Sequence, residues 1–168
     1  KTGHETKVYP GFAEKKFNIS KNDTKPIKQN HEILEGNDKK EFLKGAEIAY
    51  ETILTSFAHG DLYKLKTLLT SNMNTNFASA IEARNKEKIK SEFTFIGIKE
   101  SSVEKYEKVK DELFATVKFV AEVISVKKKE DKIIEGNPDK IKFVTDVWNF
   151  TKNINNKSPN WYLAEIIS

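Results

Sequence analysis

The stretch that most constrains this chain runs from Phe114 to Phe150. It reads Phe-Ala-Thr-Val-Lys-Phe-Val-Ala-Glu-Val-Ile-Ser-Val, then a charged loop, then Glu-Gly-Asn-Pro-Asp-Lys-Ile-Lys-Phe-Val-Thr-Asp-Val-Trp-Asn-Phe. Two long segments rich in β-branched and aromatic residues flank a loop holding Gly136, Asn137 and Pro138. This is the pattern of an antiparallel strand pair joined by a long turn. Apolar residues on both faces predict a bent sheet covered on one side. Ser158-Pro159-Asn160-Trp161 announces a last strand, Trp161 to Ile167.

The rest of the chain supplies the cover. Asp38 followed by Glu41 has the form of a capping box, and a helix is expected from Asp38 to His59. On it Phe42, Ala46, Ala49, Ile53 and Phe57 step by three or four, with Leu43, Tyr50 and Leu54 beside them. Gly60 is placed to end that helix and Asp61 to cap the next, which carries Leu62, Leu65, Leu68 and Leu69. Ser71 is expected to cap a third, with Met73, Phe77 and Ile81 at every fourth position, fading in the charged run 82–90. From Glu92 the period changes to two, and the charged stretch Glu100 to Glu112 continues an edge strand and its turn. Helices first and sheet afterwards give α+β, not βαβ. Residues 41–168 are read as a single domain of three helices on four antiparallel strands. Residues 1–40, polar and lysine-rich, are read as a linker or arm that Tyr9, Phe12, Phe17 and Ile19 can dock.

At 168 residues the chain can bury one sizeable core. It has no cysteine, hence no disulfide, thiolate-metal site or cysteine nucleophile. A net charge of +4 comes almost wholly from lysine, Arg84 being the sole arginine. Bidentate readout of guanine or phosphate draws on arginine, so specific nucleic-acid binding is disfavoured. No apolar run reaches the length of about 18 residues that a spanning helix needs.

Several of these motifs resemble a known family. Glu122-Val-Ile-Ser-Val126, Glu135-Gly-Asn-Pro-Asp139, Val144-Thr-Asp-Val-Trp148, Phe150 and Pro159-Asn-Trp161 are similar to the C-terminal domain of the import-motor tether of the mitochondrial inner-membrane translocase. They resemble more narrowly its bacterial, alphaproteobacterial-type relatives. The likeness begins near Phe42-Leu-Lys-Gly-Ala46 and takes in Phe57-Ala-His-Gly-Asp-Leu62. It implies the cystatin-like cone shared with nuclear transport factor two. It implies too a non-catalytic domain at the cytoplasmic face of the bacterial inner membrane, tethering translocase proteins there, with an anchor expected upstream of Lys1. The mitochondrial relative recruits a DnaK-type chaperone largely through its N-terminal half, to which residues 1–40 offer no matching motif. Another relative is a mitochondrial ribosomal large-subunit protein.

Candidate sites follow. Tyr50, Phe77, Phe119, Trp148, Phe150 and Trp161 are large rings on elements that face each other. Each buries roughly 150 to 250 Å², about 4 to 6 kcal/mol gross, so core packing is their first role. The open end of a cone also leaves room for an apolar cavity holding lipid or hydrophobic peptide, lined by Tyr50, Phe77, Ile81, Phe119, Trp148 and Trp161. Lys127, Lys128 and Lys129 are candidates for membrane contact or simply a solvated turn. At about 1 kcal/mol each near anionic lipid they fall short of the roughly 4 kcal/mol of a millimolar complex, so a second contact is required. Asp146 shares a predicted strand face with Val144, Trp148 and Phe150. A carboxylate there is either a base with a raised pKa, which supports an enzyme or small-ligand binder, or is held by an amide or lysine or turned outward by a bulge. His4, His31 and His59 have no metal-ligand spacing, and no cofactor motif is present. A ribosome-associated module using the lysines is the third reading.

Overall fold

A computed structural model of the chain describes residues 34–168. The arm residues Tyr9, Phe12, Phe17 and Ile19, with His4 and His31, lie outside the described residues. Helix α1 spans Gly36–His59, α2 Leu62–Lys66 and α3 Ser71–Lys86; strands follow as β1 Ile89–Val109, β2 Glu112–Lys129, β3 Lys132–Gly136, β4 Lys142–Asn153 and β5 Tyr162–Ile166. The α+β order is as expected. The sheet has five strands rather than four, because the charged loop contains β3.

The helix ends explain the layering. Gly60 adopts φ +71 and returns its N–H to the carbonyls of Phe57 and Ser56, a left-handed cap glycine takes without steric cost. Asp61 caps α2 by accepting the Lys64 N–H at 3.1 Å. Two expectations change. Helix α1 starts at Gly36 with no side-chain cap, so Asp38 lies inside its first turn. The α3 cap is Thr70, which accepts the Met73 N–H; Ser71 is the first helical residue. On α1, Ala46, Tyr50, Ile53, Leu54 and Phe57 are buried, and on α3 Met73, Phe77 and Ile81, as the three-to-four spacing requires.

The strands run β1-β2-β4-β5, all antiparallel, with β3 on β2. Strand β4 pairs with residues 112–123 of β2. Beyond its end, β3 takes over the same edge of β2 from Val126 to Lys129. Along β2, Ala115, Val117, Phe119, Ala121 and Val123 are fully buried and face the helices. Strand β1 has register shifts at Phe95/Gly97, Ile98/Glu100 and Val103/Lys105. Each extra residue bends the strand and increases its twist, so a 21-residue strand curls around the helical layer. The outer edge of β5 is closed by Leu68–Thr70: Leu163 N–H donates to Leu68 O at 2.8 Å, and Thr70 N–H to Leu163 O at 3.0 Å.

Candidate functional site

The rings expected to line one hollow occupy different places. Tyr50 stacks on Phe119 of β2 at 4.2 Å and tilts against Trp148 of β4 at 4.6 Å. Phe119 meets Trp148 at 6.0 Å, and Phe77 meets Phe57 edge-on at 5.1 Å. Tyr50, Phe77, Ile81, Phe119 and Trp148 all belong to one buried core. Trp161 stands apart, half-buried, edge-on to Phe42 at 4.9 Å and 6.3 Å from Tyr106.

Asp146 points inward with Val144, Trp148 and Phe150, as strand alternation predicts, and is fully buried. The Tyr50 hydroxyl donates a short hydrogen bond to its Oδ2. The burial of Asp146 excludes an outward bulge, and the phenol 96 residues away in sequence is a donor to it. Burial first, then the adjacent Asp146 charge and its hydrogen bond, push the Tyr50 phenol far above its ordinary value. A general base must reach the proton it takes. Asp146 has no exposed surface, and neither it nor Tyr50 lines the groove described next. The enzyme reading therefore gains nothing from this pair.

The groove lies elsewhere, between α1 and the segment leading into β5. It encloses about 510 Å³ and is floored by Phe42, Ala46, Ala49, Leu68, Phe150 and Trp161, a size within the range of ligand sites. Small side chains at Gly45, Ala46 and Ala49 leave the space, while Pro159 and Asn160 form the far wall. The charged residues along it, Asp38 and Glu41, are both acidic. Of the six predicted lining residues, only Trp161 borders it; Ile81 borders a second, shallower recess with Leu62 and Ala78. The sequence signal that marks the groove is the run of small residues on a helix that otherwise presents large ones.

The three lysines lie where β2 leaves the body of the sheet. Lys127 pairs with Glu135 at 3.3 Å and Lys128 with Glu92 at 3.0 Å, while Lys129 is exposed. His59 is exposed in the last turn of α1, where a cation suits the helix dipole. Arg84 serves the same end more directly: Nη2 donates to Phe57 O at 2.9 Å, and the guanidinium lies over the Phe57 ring. Among the described residues no group of His, Asp or Glu is arranged to hold a metal.

With this geometry in hand, comparison with known proteins gives two results. A family model described as the Tim44-like domain matches residues 24–168, starting ahead of the boundary expected at residue 41. Among solved structures, the intermembrane space region of the chloroplast protein ARC6 is similar, at 10% identity and a TM-score of 0.51, over 75% of this chain and 96% of that one. At such identity the likeness is one of fold. No curated protein matches the chain.

Proposed function

The chain belongs to the Tim44-like domain family, and from that premise we propose that it is a non-catalytic tether beside a protein translocase, at the cytoplasmic face of the bacterial inner membrane. Tim44-like domains go with membranes and protein translocation. Among the described residues no helix is long and apolar enough to cross a membrane, so this part of the chain works from the surface.

The observation that carries the reading is the α1 groove. It is an accessible apolar site on the domain, while the buried acid is sealed away. Its floor suits aliphatic or aromatic side chains. Asp38 and Glu41 beside it disfavour an anionic lipid headgroup and favour a hydrophobic peptide that also bears positive charge. We therefore assign the groove to such a peptide, presented by a translocase protein or by its cargo. Recruitment of a DnaK-type chaperone is a finer part of the same proposal.

The test is titration of the 168-residue chain with a cationic amphipathic peptide, followed by isothermal calorimetry. Saturable binding that weakens about tenfold or more in Ile48→Ser and Trp161→Ala, with folding retained, supports the assignment. Binding indifferent to both substitutions removes it.

A further inference from the structure

Strand β3 is unusual in being exposed along its whole length while carrying two adjacent isoleucines. Ile133 is 48% exposed and Ile134 is 52% exposed. The connection to β4 adds Ile141, 53% exposed, and Phe143, 40% exposed. A solvated edge strand ordinarily carries charges and no large aliphatics. Neither the groove nor the recess includes these isoleucines.

The position of β3 shows what kind of surface this is. It extends β2 past the end of β4, as the outermost strand of a three-stranded projection made with β1: Ile89 pairs with Lys129, and Lys129 in turn with Lys132. Ile134, set between the Glu135↔Lys127 and Ile133↔Lys128 pairs, is the bulged residue, where the regular alternation of a strand is interrupted. Exposed aliphatics on a projecting edge suit a medium into which several side chains can enter side by side.

Charge narrows the choice. Glu135 and Glu92 are taken up by Lys127 and Lys128. Around the projection Lys88, Lys90, Lys129, Lys132 and Lys140 are exposed, against Glu87, Glu130, Asp131 and Asp139. Lysines beside exposed aliphatics match an anionic bilayer: the apolar side chains enter the acyl boundary while the ammonium groups meet headgroup phosphates. Entry is necessarily shallow, because the free edge of β3 keeps backbone N–H and C=O groups that need water. Glu130 and Asp131 at the turn favour contact through the strand's side over contact tip-first.

We propose that the β3 edge, with Ile133, Ile134, Ile141 and Phe143, is the surface that rests on an anionic lipid membrane. The proposal builds on the tether reading and gives it an orientation. Ala115, beside Phe150 of the groove, and Lys128, beside Ile133, are thirteen residues apart on β2, roughly 40 Å along an extended strand. A domain lying on β3 holds its groove away from the bilayer, open to a protein in the aqueous phase.

The experiment is flotation of the full 168-residue chain with vesicles of phosphatidylcholine containing about a third phosphatidylglycerol, and with phosphatidylcholine alone. Binding to the anionic vesicles alone is expected. It should fall about tenfold or more in Ile133→Ser/Ile134→Ser, which alters exposed residues only. It should fall also in Lys129→Glu/Lys132→Glu/Lys140→Glu, each lysine near such a surface being worth roughly fivefold, and be unchanged in Ile48→Ser on α1. Lipid-borne quenchers should reach a fluorophore at residue 134 and leave Trp161 fluorescence unaltered. Absence of vesicle binding, or binding that ignores both tip variants, overturns the proposal. If translocase proteins still cross-link to the groove in that case, the tether reading stands and only the membrane surface is misplaced.

Discussion

The Tyr50 hydroxyl of α1 donates to the carboxylate of Asp146 on β4 at the centre of the core, where neither residue has exposed surface. The pair joins the helical layer to the sheet by a directional bond, amid rings that supply the non-directional contacts. A fold with Tyr50 in another register would leave a buried acid without this donor, so the pair penalises misplacement of α1 as much as it stabilises the correct position.

Removing one partner is therefore expected to cost more than removing both. Tyr50→Phe removes a donor from a buried carboxylate and should destabilise by about 1 to 3 kcal/mol or more, whereas Tyr50→Phe/Asp146→Val should recover part of that loss. Urea denaturation of the four members of the cycle measures it. Additive losses would show that the bond is incidental.

The same pair sets an alkaline limit. The folded-state pKa of Tyr50 is raised above its unfolded value of about 10. Its contribution to stability is thus fully present below pH 10 and is lost as pH rises beyond it, since only the unfolded chain can then release the proton. The slope for one such group is about 1.4 kcal/mol per pH unit. The difference in stability between the native chain and Tyr50→Phe, followed from pH 8 to 11.5, should shrink above pH 10. A difference that stays constant would contradict this.

Gly136 is the point at which β3 parts from β2. It has φ +89, and a Cβ built there would lie 2.0 Å from the Ser125 carbonyl oxygen. Gly136→Ala should break the β2–β3 pairing while the core holds. Amide exchange at Lys127 and Lys129 should accelerate by about tenfold or more, with that of Val117 and Phe119 unchanged. Unchanged exchange near Lys127 would mean the backbone there can shift at little cost.

Much of this architecture is legible in the residues, and the exceptions have physical reasons. Burial on α1, α3, β2 and β4 follows from period because each has one face on the core: Phe77 and Ile81, or Phe119 and Ala121, could hardly point elsewhere. Strand β3 is hidden because both of its faces are exposed, so Lys132-Ile-Ile-Glu-Gly136 shows no alternation. Its turn adds to the concealment, since Glu130 and Asp131, at φ +51 and +61, take left-handed positions that Asn-Gly usually marks. The inward direction of Asp146 could be read from strand parity, but its partner could not, because a bond across 96 residues depends on where α1 crosses the sheet. The groove is hidden for the same reason. Phe42, Ala46 and Trp161 come together only when the turn before β5 folds against α1. Trp148 packs inside the core with Tyr50 and Phe119, a role its ring size predicts.

The central claim is that the α1 groove faces a translocase protein or its cargo at the membrane. Site-specific photocross-linking in living cells tests it most directly, with the reactive side chain in place of Ile48, which is 59% exposed and borders the groove. The predicted result is an adduct with an inner-membrane translocase subunit or a chain in transit, absent when the probe is moved to exposed Glu82 beside the recess on α3. Adducts only with soluble proteins unrelated to secretion, or equal adducts from both positions, would contradict it.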